Sequence, residues 1–137
     1  HGLRALADVV DALPAGRRIV LLGQAGDRSD DDLHALAAAA MAMRPAVVVV
    51  KELATMRRGR APDEVPRLLT AALRRLGLPD DAVVQAGDEV EGAQRALERA
   101  GPGDVVVLPL HAQRRAVVAW LDALAKRGWR AGAPLGE

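Results

Sequence analysis

The apolar residues of this chain switch repeatedly between two periods, and that alternation restricts its fold more than any other feature. Leu3, Leu6, Val9, Val10 and Leu13 recur at helical spacing, with Pro14-Ala15-Gly16 as the expected stop. Arg18 to Gly23 (RIVLLG) is instead a short unbroken apolar run ending in glycine, the pattern of a strand covered on both faces. Ser29, followed by Asp30 to Asp32, predicts the next helix start. A side-chain oxygen there satisfies orphan amides, and carboxylates favour the positive end of the helix dipole. That helix is expected to run through Leu33 and Leu36 to about Met43, closed by Pro45.

The alternation continues to the end of the chain. Ala46 to Val50 reads as a second buried strand, delivering Lys51 and Glu52 to its C-terminal end, and a basic loop from Met56 to Pro62 follows. Next come a helix from Asp63 to about Leu76, a strand Ala82 to Gln85 and a helix Glu89 to Ala100. Asp104 to Pro109 reads as a further strand and His111 to Arg127 as an amphipathic helix, with Trp129 the only large anchor of the tail from Gly128. Strands separated by helices imply parallel pairing through crossovers. The expectation is a single α/β domain over residues 1–137, a three-layer α/β/α arrangement with a doubly wound, mostly parallel, Rossmann-like sheet. No repeat, low-complexity segment or internal linker interrupts it.

Composition narrows the class of partner. Half of the residues are hydrophobic, which is globular composition, and with two Trp but no Phe or Tyr the core must rest on Ala, Val and Leu. A net charge of +1 gives no global attraction to nucleic acid or membrane, and neither is expected as a partner. No apolar run approaches the roughly 20 residues that span a bilayer. The absence of Cys removes disulfide and thiol chemistry, and a cytoplasmic location is the default expectation.

In doubly wound sheets ligands bind beyond the carboxyl ends of the strands. The turn Gly23 to Arg28 has two glycines, Gly23 and Gly26, where backbone amides are able to approach a phosphate, but it lacks the Gly-Lys-Ser/Thr ending of a P-loop. The plainer reading is a tight turn in which Asp27 bonds the loop amides. Lys51, Glu52, the loop Arg57-Arg58-Gly59-Arg60 and Glu64 form a second polar group, in which the arginines suit forked hydrogen bonding to an anion or simple solvation. His111 follows the last strand as a third candidate. The three histidines (His1, His34 and His111) show no metal-ligand spacing, and Asp30 to Asp32 point in different directions on a helix, so no metal site is expected.

The order of these segments resembles a known family. Gly26-Asp27-Arg28-x-Asp30, placed after a strand, is similar to the C-terminal domain of the Mur ligases. Lys51-Glu52, Arg58-Gly59-Arg60-x-x-x-Glu64 and Gly103-Asp104-Val105-Val106-Val107 bring it nearest to the cyanophycin synthetase family. His1-Gly2-Leu3-Arg4-Ala5-Leu6 looks like the opening helix of that domain. The resemblance implies one part of an ATP-dependent amide ligase, in which ATP phosphorylates a carboxylate, an amine attacks the acyl phosphate and phosphate departs. It implies a central P-loop ATPase domain as partner, ATP and Mg2+ as cofactors of the complete enzyme with none held by this domain alone, and an amino acid or peptide substrate. It also implies that Gly26, Asp27, Arg28, Lys51, Glu52, Arg58, Gly59 and Arg60 face substrate or phosphate. His111 joins them only by its place after the last strand, where the plainer reading is a polar loop or helix-start residue. Leu53 stands where the cyanophycin enzymes carry an acid, a departure that points to an amine other than arginine.

The chain alone, without a P-loop, is expected to be inactive, and oligomeric state stays open. The loop Arg57 to Arg60 is expected to be mobile, since little apolar burial holds it. Two other readings stand beside the ligase: a binding or assembly module that kept the fold without catalysis, and a free-standing domain that binds a phosphorylated metabolite at the Gly23 to Arg28 turn.

Overall fold

Two apolar runs, RIVLL and VVVVK, occupy the middle of the sheet because helices cover both of their faces. In the computed structural model, which describes residues 2–13 and 16–136, they form β1 (Arg18–Leu22) and β2 (Val47–Lys51). The edge strands β3 (Val83–Ala86) and β4 (Val105–Val107) are half-buried. All pairings are parallel and the order is β3-β2-β1-β4. Leu22 lies beside Val50, Val20 beside Val107 and Lys51 beside Ala86.

Strand alternation sends Val20, Leu22, Val48 and Val50 to one face, where they pack with α1 (Gly2–Asp11), α2 (Asp30–Ala42) and α3 (Glu64–Arg75). Ile19, Leu21, Val47 and Val49 point to the other face and meet Ala96 and Ala100, at and just beyond the end of α4 (Glu89–Arg99). The final helix, α5 (Arg114–Lys126), packs against α4. The result is a three-layer α/β/α domain of Rossmann-like type. Ala37 and Ala40 are fully buried in α2, so the small side chains let that helix approach the sheet closely.

Local chemistry sets the ends of these elements. Ser29 caps α2 and Asp32 reaches back to the Ser29 amide, a reciprocal capping box. Pro14 and Ala15, the expected stop of the first helix, and His1 lie outside the described residues. Several boundaries differ from the sequence pattern: the strand expected over Ala82 to Gln85, for one, runs Val83–Ala86. Lys51 extends β2 by pairing with Ala86. The strand expected over Asp104 to Pro109 is ladder-paired only at Val105–Val107, since only β1 flanks it. The helix expected from His111 begins at Arg114, because the amides of residues 111–113 turn instead toward the Glu89 carboxylate.

Candidate functional site

Parallel strands place all of their carboxyl ends on one edge, and the strand order reverses there between β1 and β4. This is the position at which doubly wound sheets leave a crevice for ligands. A cavity of about 300 Å³ lies there, between Gly23 and Gln24 at the exit of β1 and Pro109 and His111 at the exit of β4. Leu3 and Leu6 of α1 and Leu36 of α2 supply an apolar wall.

Lys51 is the centre of the edge. Its side chain leaves β2, crosses the backbone of Gly23 and ends among groups from α4 and the β4 exit. The Nζ donates to Glu89 Oε2 at 3.0 Å and to the Pro109 carbonyl at 2.6 Å, and it lies 3.1 Å from His111 Nδ1. Both side chains of the Lys51–Glu89 ion pair are fully buried. The Nζ thus meets two oxygen acceptors, one of them a carboxylate, and a ring nitrogen whose role depends on the tautomer of His111. Burial lowers the Lys51 pKa, opposed by its hydrogen bond and charge attraction to Glu89.

Glu89 is held from two sides. Its carboxylate accepts backbone N–H bonds from His111 at 2.9 Å, Ala112 at 3.0 Å and Gln113 at 3.2 Å. In return Gln113 Oε1 accepts the amides of Glu89 and Val90, each at 3.0 Å. The residues ahead of α5 and the first turn of α4 thus cap one another. Burial acts to raise the Glu89 pKa, but the Ala112 and His111 amides and Lys51 outweigh it and hold the carboxyl below its ordinary range. His111 is lowered as well, first by lost solvation and then by the Lys51 charge.

The arginine loop forms a second group. Arg60 donates to the Gly26 carbonyl at 3.0 Å and the Arg28 carbonyl at 2.6 Å, and pairs with Asp30 at 3.0 Å and Glu64 at 2.7 Å. Arg57 pairs with Glu52 at 3.2 Å, and Glu52 also accepts the Asp63 amide at 2.7 Å. Gly26 donates to the Met56 carbonyl at 2.8 Å, and a Cβ on Gly26 would fall 1.7 Å from the Arg57 carbonyl oxygen. Only glycine permits that approach. The loop expected to have little holding it is therefore tied by polar contacts, and only its tip, Arg58 and Gly59, stands exposed, with positive φ at both residues.

The Gly23 to Arg28 turn spends some of its backbone donors within the chain. Its Gly26 amide is taken by Met56 and its Ala25 amide by Gln24 Oε1, so two of the donors a phosphate site needs are spent. Asp27, expected to bond these amides, is exposed beside them. Asp30 and Asp32 serve Arg60 and the helix cap, and among the described residues no group of acidic and histidine side chains is placed to hold a metal ion.

The candidate residues thus fall into two groups. Lys51 and His111 meet at the crevice, while Gly26, Arg28, Glu52 and Arg60 meet along the arginine loop, with Asp27, Arg58 and Gly59 at its surface. Glu89 and Gln113 join the first group, and neither stands out in the sequence. A carboxylate in a first helical turn reads as an ordinary dipole partner. Its burial follows from contacts with Lys51, 38 positions away, and with the amides of residues 111–113.

Fold and edge define a doubly wound α/β domain with a crevice at its switch point. The sequence profile of the Mur ligase, glutamate ligase domain matches residues 1–109. The chain belongs to that family, whose members form part of ATP-dependent amide ligases. The match takes in the sheet and the Lys51–Glu89 pair and ends at Pro109, ahead of His111 and α5. Comparison with curated proteins returns no match.

Proposed function

We propose that this chain is the substrate-side closing domain of an amide ligase similar to cyanophycin synthetase, working through an acyl phosphate. The observation that carries the reading is the family match spanning the strands whose carboxyl ends build the crevice. ATP and Mg2+ would be held by a P-loop domain elsewhere in the complete enzyme, since the Gly23 to Arg28 turn has spent two of its amides.

In this reading the chain's own residues bind, orient and exclude water. Leu3, Leu6 and Leu36 keep one wall of the crevice apolar, which strengthens polar contacts within it. Gln24 and His111 give it polar ends. The exposed guanidinium groups of Arg28 and Arg58 are the cations available to an anionic substrate or departing phosphate, because Arg57 and Arg60 are paired internally. Leu53 is buried, so no carboxylate stands after Lys51-Glu52, which favours an amine substrate other than arginine.

The test is phosphate release by the complete ligase. It should require ATP, a carboxylate and an amine together, and the isolated chain should release none. Phosphate release by the purified chain that tracks it through mutation would contradict the reading. A second reading, an assembly module without catalysis, draws on the internal engagement of Lys51 and Arg60. It predicts no amine-dependent turnover in the complete protein.

A further inference from the structure

His111 lines the crevice and is exposed. Its Nδ1 faces the Lys51 ammonium at 3.1 Å, and its Nε2 makes no hydrogen bond to any described residue. An ammonium N–H needs an acceptor, so Nδ1 must carry a lone pair, and a neutral ring then carries its proton on Nε2. A proton on Nδ1 would set N–H against N–H beside a full positive charge. Lys51 in turn has no freedom to rotate away. Glu89 and the Pro109 carbonyl hold its other two donors, and Glu89 is itself fixed by the three amides of residues 111–113. The backbone that carries His111 and the cation that reads its ring are therefore tied to one carboxylate.

We propose that His111 is a neutral hydrogen-bond donor to a ligand oxygen in the crevice, with Lys51 and Glu89 as positioning residues that keep its proton on Nε2. This deepens the proposed function and rests on its placing of a ligand at the switch point. The Lys51 bond to Nδ1 polarises the ring and strengthens Nε2–H as a donor, which favours an anionic acceptor. The acceptor is a carboxylate or phosphoryl oxygen, the two kinds that an acyl-phosphate reaction contains. A donor that stays neutral adds no second charge to the Lys51–Glu89 pair and stabilises charge as it develops on the ligand.

The experiment is nitrogen NMR of the histidine rings in this chain, at a pH well above the ordinary value of about 6.5. His111 should show an unprotonated Nδ1 and a protonated Nε2. The free imidazole mixture already favours Nε2–H, so the wild-type share must exceed it, an equal share overturning the positioning role. Lys51→Met, where it folds, should relax the ring to that mixture. A protonated Nδ1, which a neutral Lys51 amine would require, overturns the positioning role. Inorganic phosphate and acetate are then titrated separately into the wild type and His111→Phe. A shift of Nε2 together with the Gly23 amide supports the donor role, phosphate alone indicating a phosphoryl oxygen and acetate alone a carboxylate. The affinity should fall about 10-fold or more in the variant, as for a lost bond to a charged group. Binding of neither anion to the wild type, or equal binding by the variant, overturns the donor role. Failure of amine-dependent turnover in the complete ligase would sink the proposed function while leaving these spectra to stand.

Discussion

Lys51 crosses the backbone of Gly23 so closely that a Cβ at position 23 would lie 2.6 Å from Lys51 Cγ and 2.8 Å from Cε. These are stem atoms, not the far end of the side chain, so Lys51 has to leave its path if residue 23 gains a side chain. Gly23→Ala should therefore do two things at once. It should cost about 1–3 kcal/mol by overpacking, read in urea unfolding. It should also loosen the Lys51–His111 contact, read as a change in the His111 ring nitrogen shifts. Unchanged stability would mean that the lysine path over the glycine is not fixed.

The buried ion pair should behave unequally under single and paired substitution. Lys51→Met leaves a buried carboxylate without its cation, and Glu89→Gln leaves a buried ammonium without its anion. Each should cost about 3–5 kcal/mol, because desolvation of the remaining charge is no longer compensated. The double variant carries no buried charge, so its cost should fall clearly below the sum of the two. Denaturant melts of the four proteins check this, and simple additivity would show that the two groups do not act as a pair.

Acid should unfold the protein through two windows. The His111 pKa is held below its ordinary 6.5, so as pH falls through that value the unfolded chain takes up its proton first and stability begins to drop. Glu89 is held below 4.5, so its stabilisation is complete above that value and is lost as pH falls through the folded-state pKa. Glu64, Glu91 and Asp104 are lowered too, each first by a backbone amide, of Ala61, Gly87 and Gly101 respectively. Midpoints of urea unfolding against pH should show the upper window vanish in His111→Phe. The lower window should shrink, without vanishing, in Glu89→Gln.

The strands were legible because a run such as Ala46 to Val50 has no polar face, and burial on both sides requires helices above and below a parallel sheet. The same logic put Lys51 and His111 on one edge, since each follows a parallel strand. What each side chain does there was not legible. Lys51 reads as a cation at a strand end, yet its donors are consumed by Glu89, Pro109 and His111, residues that only the folded sheet brings near. Arg58 and Arg60 are likewise indistinguishable as neighbours in a basic loop. Their roles diverge because the close approach at Gly26 turns Arg60 inward onto two carbonyls and two carboxylates.

That divergence gives the sharpest test of the arginine loop. The Arg60 side chain is 16% exposed and joins the turn after β1 to the first turn of α3. Arg60→Ala removes charge-assisted bonds and leaves two carbonyls to water, a loss of about 1.5–3 kcal/mol in stability. Arg60→Lys should recover little of it, because a point charge does not reproduce the fork. Arg58 stands exposed at φ 53, so Arg58→Ala should change stability by no more than about 0.5 kcal/mol. Turnover of the complete ligase should show the reverse pattern. If Arg58 meets an anionic substrate or phosphate on closure, its loss costs about 10- to 150-fold in rate with the melting temperature unchanged. Arg58→Gly should match it in rate while keeping the left-handed tip without strain. Wild-type turnover in both Arg58 variants would remove the loop tip from the reaction. The crevice between Gly23 and His111, with exposed Arg28 beside the Gly23 turn, would then carry the substrate-facing role proposed for this edge.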